Sequence, residues 1–338
     1  MKCILGIDQG GTKTHALISD LQGNLIGFGC SYGACHSTEG MQCAMCAVQE
    51  AVRIALEQAK ITGKEIVSVA AGMTGVDWAD EAELLKQELI NTLQLQGVPV
   101  TVVNDCMIAL RASVSGSSGC ILCAGTGLNC GVRDGRGHEY CFGFYIPDED
   151  QGGMALGRRA LRAVYDAESG KGSRTLLTQL ILEDAGYVST DALLRAHVTG
   201  QLSGNWISGL PILLEEAAIR GDVVAVHILK EFGMNAALYV VAALRRFSME
   251  NDPVKVVLSG SVFKCKAPEL LDAVRATILK SAPYAEIIES EMEPVTGAVL
   301  LAADALYGAA SVLFYEHIKR DALRFHMIRK NMKEENGL

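Results

Sequence analysis

The stretch ILGIDQGGTKTHALISD, residues 4–20, joins two apolar runs through the turn DQGGTKT. The first run has the composition of a buried strand, and residues 14–20 alternate as a second strand does. Glycine lets a backbone approach a ligand closely, and successive N–H groups in such a turn attract anions. The stretch therefore predicts a hairpin whose turn binds phosphate, although a tight turn with no ligand has the same composition.

This turn differs from a Walker A loop in both spacing and context. In the pattern G-x-x-x-x-G-K-[ST] the lysine directly follows the second glycine, whereas here Thr12 separates Gly11 from Lys13. A Walker A loop also opens a helix, while residues 14–20 have the pattern of a strand. We therefore predict that the turn is not a P-loop.

The elements around this hairpin predict an α/β fold with a mixed, mostly parallel sheet and helices on its faces. In the first third of the chain, strands are predicted at 3–8, 14–20, 25–32, 66–71 and 100–103, and helices at about 38–60 and 79–95.

The same order of elements recurs at 119–143, GCILCAGTGLNCGVRDGRGHEYCFG, again with a Gly/Thr turn between two strands. The chain therefore resembles one fold used twice, and the segment SVSGSSG at 113–119 has the composition of a linker. We predict an N-terminal domain at 1–115, a second domain at 116–296 and a closing C-terminal helix at 297–338.

The second half departs from the first through a long helical insertion at about 152–248, where no strand pattern is convincing. The α/β pattern resumes with strands at 254–258 and 286–289 and a helix at 268–281. A single helix is predicted from about residue 294 to the C-terminus, and its last portion is basic and exposed.

The two Gly/Thr turns, at 9–14 and 125–127, occupy equivalent places in the two halves. If a pseudo-twofold axis relates the halves, the turns face each other across a cleft. Backbone N–H groups from both turns, with the Thr12 and Thr126 hydroxyls, would then grip a polyphosphate from two sides.

Acidic residues follow the predicted strands at positions that suit ligand binding. Asp8 ends the first strand and would bind Mg²⁺, which favours one or two carboxylates together with phosphate oxygens. Asp105 follows the strand at 100–103, where open α/β sheets bind ligands, although a helix N-cap also fits that place. The run Asp148-Glu149-Asp150 either complements a helix N-terminus or hydrogen-bonds substrate hydroxyls.

Composition limits the classes of function. The 338 residues suffice for two domains, and a net charge of −9 argues against a nucleic-acid partner. No leader is evident, and Asp304 interrupts the apolar stretch 297–313, so we expect a cytoplasmic protein with no membrane partner. The 11 cysteines are expected to be buried thiols; a four-thiolate metal site at Cys43/Cys46 and Cys120/Cys123 is the alternative.

Taken in order, these motifs resemble the sugar kinase/actin/Hsp70 superfamily and, more closely, its BadF/BadG-type ATPase branch, which includes N-acetylglucosamine kinases. The resemblance rests on GIDQGGTKT (6–14), TGVD (74–77), VVNDCMIAL (102–110), AGTGLN (124–129), FGFYIPDEDQGGMALGRRAL (142–161), VVLSGSVF (256–263) and PVTGAVLLA (294–302). It implies two actin-like (ribonuclease-H-like) domains around an ATP cleft, with the insertion in the second.

The resemblance also implies roles for individual residues. Asp105 would be the general base, and Asp8 would hold Mg²⁺. The residues implied for ATP are Gly10, Gly11, Thr12, Lys13, Gly125, Thr126 and Gly127 at the phosphates, and Gly260 and Ser261 at the adenosine. The residues implied for the sugar are Cys35, His36, Thr74, Gly75, Asn104, Asn129, Asp148 and Glu149.

Three departures from the family pattern fall mainly on the sugar side. The segment YGACHSTEG, 32–40, carries Cys35 or His36 where an asparagine is expected. Leu128 replaces a usual serine, and Pro147 replaces the glycine that leads the acidic motif. The ATP half of the site therefore matches the family, whereas the acceptor sugar stays open.

The implied function is ATP- and Mg²⁺-dependent phosphorylation of an amino sugar. N-acetylglucosamine at its 6-hydroxyl is the first expectation; glucosamine and N-acetylmuramic acid are alternatives, and homodimers are common among such kinases. One rival is an ATPase that activates a radical 2-hydroxyacyl-CoA dehydratase or benzoyl-CoA reductase through a [4Fe–4S] cluster. Another is a sugar-binding protein without turnover.

Overall fold

Two compact units make up the computed structural model, which describes residues 1–116 and 118–328. The first unit comprises Met1–Ile121, Gly131–Gly143 and the described residues from Glu289 onward; the second comprises Leu122–Cys130 and Phe144–Ile288. These units follow contacts within the chain, whereas the predicted limits at 115 and 296 follow repeated motifs. The motif-based domain limits stay a prediction.

Strands and helices alternate through most of the described chain. The strands are β1 (Cys3–Gln9), β2 (Lys13–Asp20), β3 (Leu25–Tyr32), β4 (Ile66–Met73), β5 (Val100–Asn104), β6 (Gly119–Ala124), β7 (Leu128–Arg133), β8 (Glu139–Cys141), β9 (Lys255–Ser259) and β10 (Glu286–Glu289). The helices are α1 (Met41–Ala59), α2 (Ala79–Leu93), α3 (Asp105–Ser113), α4 (Gly152–Glu168), α5 (Leu177–Ala185), α6 (Thr190–Val198), α7 (Gly204–Gly209), α8 (Pro211–Ile219), α9 (Val223–Arg246), α10 (Pro268–Ser281), α11 (Pro294–Tyr307) and α12 (Val312–Arg324).

The first sheet has the strand order β3-β2-β1-β4-β5. β1, β2 and β3 form an antiparallel meander, and β4 and β5 extend it in parallel with β1. β1 is buried on both faces: Leu5 belongs to the apolar cluster with α1 and α2, and Ile4 to the cluster with α11. A Cβ on Gly6 would lie 2.5 Å from the Val299 backbone nitrogen, so glycine lets α11 pack directly on β1.

The second sheet has the order β10-β9-β6-β7-β8, with β7 and β8 antiparallel. Two five-stranded sheets with helices interspersed along the chain confirm the predicted α/β class. The predicted insertion is confirmed as well, because residues 152–246, all of which are described, form helices α4 to α9 and no strand.

Among the described residues, α9 is long and apolar enough to cross a membrane by length and composition. One side of α9 is buried, including Phe232 and Val240. A Cβ on Gly233 would lie 2.6 Å from the Leu270 carbonyl oxygen of α10, which shows how closely these two helices pack. α9 is therefore a core helix of the second unit.

Two predicted helix limits were wrong. α1 begins at Met41 instead of Thr38, because residues 35–39 form a turn and Gly40 has a φ of 91°. The helix from Pro294 ends at Tyr307, where Gly308 takes a φ of 80°, and α12 then begins after the Ser311 cap. The basic end of the predicted closing helix, 329–338, lies outside the described residues.

Candidate functional site

The carboxyl ends of β1, β4 and β5 lie side by side at one edge of the first sheet. The register pairs Asp8 with Gly72 on β4, and Met73 on β4 with Asn104 on β5. Asp8 and Asp105 are therefore placed at the same edge, which is where open α/β sheets bind ligands.

The turn between β1 and β2 forms the hairpin that the sequence predicted, and its residues are exposed. The Gly10 N–H donates to the Lys13 carbonyl oxygen at 3.0 Å, while Gly11, Thr12 and Lys13 are exposed. Apart from Gly11 itself and its two chain neighbours, no described atom lies within 4 Å of where a Cβ of Gly11 would be. The Lys13 ammonium lies 3.6 Å from the Glu293 carboxylate. The turn thus offers N–H groups and a cation next to open space, which suits a phosphate.

The residues implied for the sugar in the first unit form one cluster. Cys35 Sγ donates to the Thr74 carbonyl oxygen at 3.6 Å. A Cβ on Gly75, whose φ is 79°, would lie 2.9 Å from that sulfur and 3.3 Å from His36 Cε1. His36 Nε2 in turn lies 3.8 Å from Glu81 Oε1. The segment that departs from the family pattern therefore packs against the TGVD loop.

Asp77 and Glu81 belong to this cluster, and the sequence analysis did not single them out. Asn104 Nδ2 donates to Asp77 Oδ1 at 3.1 Å and to the Val76 carbonyl oxygen at 2.9 Å. Glu81 Oε2 accepts from the backbone N–H groups of Asp77 and Trp78. Two features of the sequence could have indicated these residues. Asp77 lies in the TGVD motif, and Glu81 is the third residue of a helix.

Asp105 is the first residue of α3, and Asn104 is its N-cap, with Oδ1 accepting from the Cys106 N–H at 3.0 Å. Burial raises the pKa of Asp105 to about 6; the Cys106 N–H opposes this rise and the charge of Asp77 adds to it. A carboxylate whose pKa approaches neutrality accepts a proton more readily than an ordinary aspartate does. The N-cap alternative for Asp105 was wrong, because Asn104 fills that position.

The second Gly/Thr turn, residues 125–127, rests on the start of α4. The Gly153 N–H donates to the Gly125 carbonyl oxygen at 2.7 Å, and the Met154 N–H donates to the Thr126 carbonyl oxygen at 3.1 Å. Gly152 has a φ of 42°, and a Cβ there would lie 2.2 Å from the Gly127 carbonyl oxygen. Within the turn, the Gly125 N–H donates to the Gly127 carbonyl oxygen at 3.0 Å. Together these contacts fix the conformation of the turn.

Gln151 joins this turn to the segment before α4. Its Oε1 accepts from the Leu128 N–H at 2.9 Å, and its Nε2 donates to the Ile146 carbonyl oxygen at 3.0 Å. Because the contact uses the backbone of Leu128, it does not depend on the serine that the family usually carries there. The sequence analysis did not identify Gln151, since its role depends on where the turn packs.

A cavity of about 170 Å³ lies beside this turn. Gly125, Thr126 and Ser261, three of the residues predicted to bind the nucleotide, line it. A Cβ on Gly260, whose φ is 109°, would lie 2.2 Å from the Ala124 carbonyl oxygen, so the loop after β9 approaches β6 closely. The remaining lining residues come from the helices and from the loop after β9: Gly153, Leu156, Ser208, Gly209, Pro211, Ile212, Glu215, Leu229, Val262, Cys265 and Leu270. Such a mostly apolar cavity next to a Gly/Thr turn suits a flat heterocyclic base.

The three acidic residues before α4 differ in their surroundings. Asp150 accepts from Arg159 Nη2 at 3.3 Å and from the Tyr239 hydroxyl at 3.1 Å, whereas Asp148 and Glu149 are exposed. Asp150 therefore fixes the segment to α4 and α9. Asn129, on β7, accepts from the Cys130 N–H at 2.8 Å through its side chain.

The residues that could hold a metal are few. In residues 1–116 and 118–328, no group of three or more His, Cys, Asp or Glu side chains is arranged to bind a metal ion. Cys43 and Cys46 lie on α1, and Cys120 and Cys123 on β6. Asp8, half-buried beside the open glycine turn, fits Mg²⁺, because that ion takes one or two carboxylates and completes its shell with phosphate and water.

Comparison with known proteins finds relatives that are amino-sugar kinases. The chain is 27% identical over 313 residues to the N-acetylmuramic acid/N-acetylglucosamine kinase of Clostridium acetobutylicum. The aligned region covers 89% of this chain and 98% of that protein. It is 26% identical over 297 residues to the glucosamine kinase of Vibrio cholerae, covering 86% and 95% respectively.

The fold matches the crystal structure of a Chromobacterium violaceum protein described as a candidate N-acetylglucosamine kinase. The TM-score is 0.70 at 22% identity, over 89% of this chain and 99% of that one, which confirms the predicted actin-like fold. The model of the BadF/BadG/BcrA/BcrD ATPase family matches residues 5–302. Because that match spans most of the chain, the protein belongs to the BadF/BadG/BcrA/BcrD ATPase family, as its motifs predicted.

Proposed function

We propose that this protein is an ATP-dependent kinase that phosphorylates an amino sugar. The observation that carries the proposal is Asp105, a carboxylate with a raised pKa at the strand edge that also holds Asp8 and the open Gly/Thr turn. The family match and the amino-sugar kinases among the relatives support the same reaction.

In this proposal, Asp105 accepts the proton of the acceptor hydroxyl while the hydroxyl oxygen attacks the γ-phosphorus of ATP. A bond forms between that oxygen and phosphorus, the bond to the β-phosphate oxygen breaks, and ADP leaves. Asp8 would hold Mg²⁺, which when bound would neutralise charge on the phosphates. Most of the remaining work is alignment, for which backbone N–H groups suffice.

The nucleotide is assigned to residues from both halves of the sequence. Gly10, Gly11, Thr12 and Lys13 would contact the β- and γ-phosphates, and Gly125, Thr126 and Gly127 would hold phosphate as well. Gly260 and Ser261 would border the adenosine, for which the cavity beside them leaves room. The exposed Gly11 and the preorganised turn at 125–127 support this assignment.

For the sugar that accepts the phosphoryl group, the proposal names three candidates. N-acetylglucosamine at the 6-hydroxyl is the first candidate; glucosamine and N-acetylmuramic acid follow, since relatives act on each of these. The residues proposed for the sugar are Cys35, His36, Thr74, Gly75, Asn129, Asp148 and Glu149. Asn104 is 5% exposed and its amide is already engaged, so we assign it a positioning role instead. We further propose that the enzyme acts in the cytoplasm as a homodimer.

The test is ADP release with Mg-ATP and a panel of glucosamine, N-acetylglucosamine, N-acetylmannosamine, N-acetylmuramic acid and, as control, glucose. We expect one amino sugar to raise the rate well above the sugar-free background, and phosphorus NMR of its product to identify the hydroxyl. A rate that no sugar changes would contradict the kinase proposal. Absorbance near 400 nm after anaerobic purification would then favour the cluster ATPase.

A further inference from the structure

Asp77 contacts three parts of the first unit, two of them through its carboxylate and one through its backbone. Its Oδ1 accepts from Asn104 Nδ2 at 3.1 Å, and its own backbone N–H donates to Glu81 Oε2 at 3.0 Å. A Cβ on Gly143, whose φ is 47°, would lie 2.4 Å from Asp77 Cγ, so the backbone there approaches the carboxyl group closely. The side chain of Asp77 therefore has little freedom to move.

Asn104 links Asp77 to α3 through hydrogen bonds of its side-chain amide. Its Nδ2 donates to Asp77 and to the Val76 carbonyl oxygen, and its Oδ1 accepts from the Cys106 N–H at 3.0 Å. Exchange of the amide oxygen and nitrogen would place Oδ1 against two acceptors and leave the Cys106 N–H without its cap. The two acceptors thus decide which way the Asn104 amide points.

We propose that Asp77 is a positioning residue for the general base: it orients the Asn104 amide, and Asn104 fixes the first turn of α3, where Asp105 lies. This inference rests on the proposed kinase function. It assigns Asp77 no contact with substrate.

The charge of Asp77, like its position, supports Asp105 as a base. The charged groups around it are Glu81 on α2, His36 on the neighbouring segment and Asp105 on α3. Burial raises the pKa of Asp77, Glu81 adds to the rise and His36 opposes it. Since the Asp77 charge raises the pKa of Asp105, its removal should lower that pKa and weaken the base.

Two substitutions of Asp77 distinguish the effect of its hydrogen bond to Asn104 from the effect of its charge. D77N removes the charge but retains an oxygen that can accept from Asn104, whereas D77A removes both. Asp80, exposed at the start of α2, provides a matched control, D80N, that removes a carboxylate near the cluster without touching Asn104. Urea unfolding of each variant establishes that it is folded before the kinetics are read.

For D77A we expect kcat with the best sugar to fall about 10–100-fold, with little change in KM for ATP. For D77N we expect a smaller loss of kcat, together with a lower pKa of the Asp105 carboxyl. Carbon-13 NMR of aspartate-labelled protein measures that pKa directly, because the Asp105 signal is the one missing from D105N. D80N should change neither quantity.

A folded D77A variant with wild-type kcat, or an Asp105 pKa that D77N leaves unchanged, would overturn the inference. Failure of the proposed function has a different signature. In that case D105N retains activity, or no sugar is phosphorylated, while the NMR titration still reports whether Asp77 acts on the Asp105 carboxyl.

Discussion

At the scale of single residues, the burial that suits Asp105 to its proposed catalytic role also lowers the stability of the folded chain at neutral pH. We expect D105N to bind a Mg-ATP analogue almost as the wild type does, while turnover falls by about 10²–10⁴-fold, because the amide cannot accept the substrate proton. Calorimetry of nucleotide binding and steady-state kinetics check the two halves of this prediction. If D105N keeps more than about a tenth of the wild-type kcat, Asp105 is not the general base.

The same variant should be more stable than the wild type at neutral pH. Burial raises the pKa of Asp105 from 3.8 to about 6, so the ionised carboxylate is disfavoured more in the folded chain than in the unfolded one. The wild type therefore loses stability as the pH rises through about 4 to 6, and the uncharged amide of D105N does not. Urea unfolding should show that D105N is more stable than the wild type at about pH 7.5 and that this difference disappears below about pH 4. A difference in stability that does not change with pH would contradict ionisation of Asp105 as its cause.

Sequence reasoning reached Asp105 but not Asp77, and the difference has a physical reason. Asp105 follows a predicted strand, so local pattern alone places it at a ligand-binding edge. The role of Asp77 depends on Asn104, 27 residues away, and on the close approach of Gly143. Contacts of this kind arise from packing and leave no periodic signal in the sequence.

At the scale of elements, two glycines of the first hairpin serve different purposes. Gly6 lies under α11, where a Cβ would come within 2.5 Å of the Val299 backbone nitrogen, whereas Gly11 borders open space. We expect Gly6→Ala to lower the free energy of unfolding by about 1–3 kcal/mol, because α11 must shift. Gly11→Ala should fold normally and weaken nucleotide binding.

Urea unfolding and calorimetric titration with a Mg-ATP analogue distinguish these outcomes, and each variant is the control for the other. Equal stability of Gly6→Ala and the wild type would show that α11 does not pack on β1 as described. Unchanged nucleotide affinity in Gly11→Ala would argue against the first turn as a phosphate site.

Element type was largely predictable, while two element ends were not. Strand alternation predicted the first hairpin, and the lack of strand pattern after residue 152 predicted the insertion. The ends at Gly40 and Gly308 were missed because the sequence does not show the backbone conformation; the positive φ of each glycine marks the break.

At the scale of the whole molecule, repeated motifs predicted a fold used twice, and both five-stranded sheets agree with it. The cavity beside the second Gly/Thr turn was beyond prediction, because most of its lining comes from several helices whose packing the sequence does not specify. Ser208, Pro211 and Glu215 line it although they are far in sequence from the turn. Those helices therefore form part of the cavity wall as well as extending the second half of the chain.

If the cavity receives the adenosine, filling it should remove the stabilisation that nucleotide gives to the whole chain. A Mg-ATP analogue at about 100 times its Kd adds about 2.7 kcal/mol to a wild-type protein that binds it only when folded. We expect Ser208→Trp, which places an indole at the cavity wall, to lose most of the resulting increase in Tm. Val188→Trp is the matched control, because Val188 is 96% exposed and lies outside the lining. Differential scanning calorimetry with and without the analogue makes the comparison. An undiminished increase in Tm for Ser208→Trp would place the base elsewhere, even if the two Gly/Thr turns still hold the phosphates.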